Sequence, residues 1–164
     1  ELMGYYFDSS MAHPIDIVKT FVADTQKGSL VDVDEILGQG IRLWGVASDD
    51  GHTMNHHCNG WVRVRAASRN VSDILAALKD GKFYSSCGPE IYDFYYDDGK
   101  VVVLCSDAAK VRLHADKHPT RVVRSADGTL TRAEFDIGNG YSYVRATVID
   151  KDGKHAWTNP IFID

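Results

Sequence analysis

Ile91-Tyr92-Asp93-Phe94-Tyr95-Tyr96-Asp97-Asp98-Gly99-Lys100-Val101-Val102-Val103-Leu104-Cys105 decides the fold of the C-terminal half of this chain. Two runs rich in aromatic and β-branched residues flank a polar triplet that ends in glycine, which predicts two strands and a turn. The pattern continues outward. Strand-like runs at 110–115, 120–124, 130–137, 141–149 and 161–163 are separated by turn signals such as Asp127-Gly128 and Asp152-Gly153. Short strands at this spacing, with no long helix between them, predict an antiparallel β-sandwich of the immunoglobulin-like kind over residues 89–164.

Upstream of Gly88-Pro89 the character differs. Residues 3–7 are aromatic-rich and suit a strand or an ordered terminal segment. After His13-Pro14, Ile17, Val18, Phe21 and Val22 recur at helical spacing up to Gly28. Asp32 and Glu35 make a capping-box-like start to a second helix, closed by Gly38 and Gly40. The apolar run 41–47 reads as a strand buried on both faces, and it breaks into Ser48-Asp49-Asp50-Gly51-His52. Residues 61–66 alternate like another strand. Asn70 or Ser72 caps a further helix that turns Ile74, Leu75, Ala77 and Leu78 inward and stops at Gly81. Together these elements predict an α/β region over residues 1–88.

Composition narrows the function classes. The chain has 164 residues and a net charge of −5. Residues 1–52 hold nine acidic and three basic side chains, a net of −6, and the remainder holds 14 and 15, a net of +1. The acidic N-terminal part argues against nucleic acid as a partner and suits either a cation site or a solvated surface. No apolar run approaches the ~20 residues of a membrane helix. Cys58, Cys87 and Cys105 have neither metal-type spacing nor an even count, so reduced thiols in the cytoplasm are the default expectation.

The sharpest chemical feature is Asp50-Gly51-His52. Residues two apart on an extended backbone project to the same side, so a carboxylate and an imidazole can face one cation. His56 and His57 follow closely enough to join them, or to act as solvated loop histidines. Asp49 is read equally as a turn cap. Cys58 reads as a small semi-buried residue, Trp157 as a core anchor, and Tyr92, Tyr95 and Tyr96 as packing residues rather than a ligand platform. Ser85-Ser86 has no nucleophile setting, and no phosphate-binding glycine loop occurs.

The segment 34–40 followed by Trp44-Gly45-Val46-Ala47-Ser48-Asp49-Asp50-Gly51-His52 resembles the last metal-binding motif of phosphoesterases of the PHP (polymerase and histidinol phosphatase) superfamily. The resemblance runs on through Gly60-Trp61-Val62-Arg63-Val64, through Gly81-Lys82-Phe83-Tyr84-Ser85-Ser86-Cys87-Gly88-Pro89, and through Ala156-Trp157-Thr158-Asn159-Pro160-Ile161, which is similar to the β-sandwich tail of one subgroup. It implies that Asp50 and His52 are ligands of divalent zinc or manganese and that a complete protein hydrolyses small phosphate esters. It also implies that residues 1–88 resemble the last part of a PHP (β/α) barrel. His13-Pro14 is similar to a middle His-Pro motif of the family, or else simply opens a helix. The family's early His-x-His pair is absent from this sequence. The expectation is therefore a C-terminal portion or a reduced relative, weakly active or inactive alone and with a possible homo-oligomeric assembly. The alternative is a noncatalytic β-sandwich module for binding or assembly.

Overall fold

The computed structural model describes residues 3–6, 20–28, 33–49, 53–54, 57–116 and 118–163. They fall into two compact units, Glu1–Ser85 and Ser86–Asp164.

In the first unit, β1 (Met3–Tyr6) pairs antiparallel with β2 (Thr20–Gly28). The chain passes through the short helix α1 (Val33–Gly38) to β3 (Trp44–Ser48), which lies parallel to β2. Then come β4 (Trp61–Val64), helix α2 (Val71–Lys79) and β5 (Phe83–Ser86), with β4 beside β5. The Arg65 amide donates to the Lys82 carbonyl at 2.8 Å next to that pair.

The expected (β/α)-barrel segment does not form. The described chain is mostly antiparallel sheet with two helices, a β-sandwich-like fold. A closed barrel requires eight parallel strands and typically ~250 residues, and each strand needs a helix to cover it. Here β2 and β3 are flanked by an antiparallel β1. Residues 20–28, which the spacing of apolar side chains assigned to a helix, are a strand instead. Thr20, Phe21 and Val22 fit a strand as readily, and ladders on both sides satisfy the backbone. The strand expected at 41–47 starts only at Trp44, and residues 41–43 form an irregular link after the turn that closes α1. Only Ala47 of β3 is fully buried, so this is not a strand covered on both faces. In α2, Ala77 is buried as expected but Leu75 is 51% exposed, which places it outside the inward stripe.

The second unit contains two antiparallel sheets. One has the order β10-β7-β6, from β6 (Ile91–Asp97), β7 (Lys100–Ala108) and β10 (Leu130–Asp136). The other includes, in order, β12 (His155–Thr158), β11 (Tyr143–Ile149), β8 (Lys110–Ala115) and β9 (Arg121–Arg124), with β13 (Ile161–Phe162) also pairing β11. Asp98 and Gly99 form the two-residue link between β6 and β7. Both have positive φ, +41° and +77°, the twist that joins antiparallel strands without splaying them and that makes Asp-Gly the favoured pair.

The core is built from β7, β8 and β11. Val101, Val103 and Cys105 of β7, Val111 and Leu113 of β8, and Val144, Ala146 and Val148 of β11 are all nearly or fully inaccessible. β11 is central, with partners on both sides, and every one of its residues is buried. Trp157 departs from its expected role. Val148 pairs with Ala156 on the core side, so Trp157, opposite Thr147, lies on the other face, half-buried and stacked on His155 at 5.6 Å. Among the described residues no helix is long and apolar enough to cross a membrane.

Candidate functional site

β3 ends at Ser48, and the next residue organises the loop that carries the candidate ligands. The Asp49 carboxylate accepts three backbone N–H groups: Cys58 on Oδ2, and Asn59 and Gly60 on Oδ1, each at 2.7 Å. These bonds draw the chain at 58–60 back to the end of β3, so that β4 starts at Trp61 directly after the clamp. Hydrogen bonds favour the charged form of a carboxylate. The Gly60 N–H is the largest influence holding the Asp49 carboxyl below its usual range, with Cys58, Asn59 and the nearby His57 acting in the same direction against partial desolvation.

Asp49 is therefore a positioning residue. A carboxylate already receiving three N–H bonds has little capacity left for an ion. Cys58, expected to be semi-buried, is exposed, and its φ of +63° puts a left-handed residue at the start of the clamped segment. His57 is exposed on the same loop, with its amide donating to the Met54 carbonyl at 3.4 Å. Of the candidate metal ligands only His57 is placed. Asp50, His52, His56 and His13 lie outside the described residues. Among the described residues no group of three or more His, Cys, Asp or Glu side chains is arranged to hold a metal ion.

The loop rests on a firmly tied β3. The Trp44 indole donates to the Lys79 carbonyl at 3.0 Å, at the end of α2. Gly81 lies against the face of that indole, where an added Cβ would sit 2.7–2.9 Å from ring atoms, and its φ is +68°. Glycine is required there twice over, for the left-handed backbone and for the close approach. The Ser85 hydroxyl donates to the Gly45 carbonyl at 2.9 Å. The Ser86 hydroxyl donates to the Pro89 carbonyl at 2.7 Å and accepts the Gly88 amide at 2.9 Å. Both serines thus serve the backbone.

Of the two readings of Asp49 the capping one matches its backbone partners, but the sequence does not show which amides it caps, because they are nine to eleven residues away and no periodic pattern links them. The tyrosines of β6 also depart from expectation. Tyr92 is 62% exposed and Tyr96 38%, so neither is a packed core residue. No protein-family model, curated protein or solved structure matches the chain.

Proposed function

We propose that this chain is the C-terminal portion or a reduced relative of a PHP-type metal-dependent phosphoesterase, and that its 49–60 loop supplies metal ligands for hydrolysis of phosphate esters. The observation that carries this reading is the Asp49 clamp. It fixes both ends of the loop bearing Asp50, His52, His56 and His57 at the C-terminal end of a strand that runs parallel to its neighbour. Loops at the carboxyl ends of parallel strands are where α/β arrangements gather their binding groups.

The described donors alone do not make a site, since catalytic zinc sites use three protein ligands. On this reading Asp50 and His52 hold the ion, with His56 or His57 in reach, and the remaining ligands come from outside this loop. A divalent ion bound there supplies Lewis-acid activation of a water and polarisation of a phosphoryl oxygen. The chain's own part is positional: Asp49 limits the conformations of the loop, so less entropy is lost when its ligands converge.

The test is calorimetric titration of zinc and manganese into the wild type, Asp50→Asn and Asp49→Asn, alongside turnover of an aryl phosphate. Weak metal binding, reduced in both variants, with little turnover is the expected result. Loss of an outer positioning group costs ~10–100-fold in a well-formed site. Affinities identical in all three proteins would refute the reading. The second reading, a noncatalytic β-sandwich module, would then stand, supported by the packed core of the second unit.

A further inference from the structure

The two sheets of the second unit differ in the charge of the faces turned away from their shared core. On the β10-β7-β6 sheet, Arg132 pairs with Glu134 at 2.5 Å and Lys100 with the same carboxylate at 3.3 Å, so cations and anions alternate. The other sheet is unlike this. Opposite the core-facing set of Val111, Leu113, Val144, Ala146, Val148 and Ala156, the register places Val122 and Arg124 of β9, Lys110, Arg112 and His114 of β8, Arg145, Thr147 and Ile149 of β11, and His155 and Trp157 of β12 on one face. Arg145, Thr147 and Ile149 are buried, so the accessible part of this face is its β8-β9 edge. No carboxylate occupies any of these positions. Asp150 adjoins the face, but its Oδ1 already accepts the amides of Asp152 and Lys154.

Lys110 and Arg124 are directly opposed across β8 and β9. Opposed side chains in an antiparallel pair stand about 5 Å apart at Cβ, and like charges there repel. Among the described residues Lys110, Arg112 and Arg124 form no ion pair. Arg124 is exposed, and Lys110 and Arg112 are half-exposed. Arg112 and Lys110 both act on His155, whose imidazole is pushed down by burial first and by these two cations next, with the neighbouring Asp150 carboxylate acting in the opposite direction.

We propose that Lys110, Arg112 and Arg124 form a binding surface for a short oligophosphate, a small anion with several linked phosphoryl groups. Alternate residues on β8 are about 7 Å apart and neighbouring strands about 5 Å, so the three cations converge on an area the size of a few phosphoryl groups. Arginine forks bind phosphoryl oxygens in bidentate fashion, and lysine adds a point charge. A long polyanion fits less well. Residues 86–164 carry 12 acidic and 10 basic side chains, a net of −2, so a strand extending beyond the patch runs into repulsion. This surface does not depend on the metal-ligand reading of the 49–60 loop.

The experiment is calorimetric titration of sodium tripolyphosphate into the full chain at low salt with a chelator present, which removes any metal-bridged binding. Expected are measurable association that weakens as salt is raised, a drop of at least tenfold in Arg112→Gln/Arg124→Gln, and no change in Lys100→Gln/Arg132→Gln on the opposite sheet. Circular dichroism checks that each variant is folded. If the double variant is not, the single Arg124→Gln change at the exposed position carries the test. The proposal is overturned by absence of binding, by equal losses in both double variants, or by tighter binding of a single-stranded oligonucleotide than of tripolyphosphate.

Discussion

The two units of this chain are stabilised in different ways. The second is built from strand pairs whose alternate residues interlock, so its stability is spread over many apolar side chains. The first unit also buries apolar side chains, Leu37, Leu43 and Phe83 among them, and adds specific bonds that tie its loops to the strands: Asp49 to three amides, the Trp44 indole to Lys79 and against Gly81, and Ser85 to Gly45. Distributed packing tolerates the loss of any one polar contact but is sensitive to a cavity. Where single bonds tie a loop to a strand, as in the first unit, loss of one of them is felt locally.

This contrast can be broken at its strongest point first. Leu113 is 2% exposed in the centre of β8, so Leu113→Ala should cost the second unit about 2–5 kcal/mol, from lost burial and the remaining cavity. Urea unfolding should show a lower midpoint, and a cost below about 1 kcal/mol would mean that this core is loosely packed. Gly81→Ala is the corresponding change in the first unit. It forces a Cβ into the Trp44 ring and a side chain into a left-handed backbone, which costs about 1–2 kcal/mol for the backbone alone. Thermal melts and the protease sensitivity of α2 should both report the loss; an unchanged α2 would show that the indole moves aside freely.

A smaller, local effect is expected at Asp49. Its folded-state carboxyl titrates below the ordinary value of 3.8, so its contribution is complete above that pH and lost as pH falls below it through the folded value. Amide exchange at Cys58, Asn59 and Gly60 should therefore accelerate in acid relative to the strand amides of β11. In Asp49→Asn the three amides should already exchange faster at neutral pH. Equal protection in the two proteins would show that the clamp does not hold the loop.

The smallest expected effect separates the thiols. Cys105 sits in the core and burial pushes its thiol up to about 11, whereas Cys58 is exposed. A thiol-specific reagent at pH 8 should label Cys58 rapidly and Cys105 only on unfolding. Rapid labelling of Cys105 would indicate that β7 opens locally. The same shift makes the folded form less stable as pH rises above 9.0, because ionisation is easier in the unfolded chain.

The strands of the second unit were legible in the sequence because hairpins are local. Asp98-Gly99 specifies its turn through backbone preference, and the β-branched runs in 100–105 and 141–149 mark strands, although both are buried almost throughout and do not show by themselves which side chains face the core. Residues 20–28 were not legible. Their apolar spacing suits a helix or a strand, and the ladders with β1 and β3 made the choice. Trp157 was misread because a large aromatic residue suggests a core, whereas the register of β12 against β11 assigns it to the opposite face.

The sequence by itself determined the turn positions, the strand-rich second unit and the composition of the 49–60 loop, since each depends on residues close together in the chain. Only the tertiary structure decided that Asp49 is a clamp, that Gly81 must lack a side chain, and that β8, β9 and β11 place Lys110, Arg112, Arg124 and Arg145 on one face. In each of these cases the interacting groups are distant in sequence, and folding alone determines the distance between them.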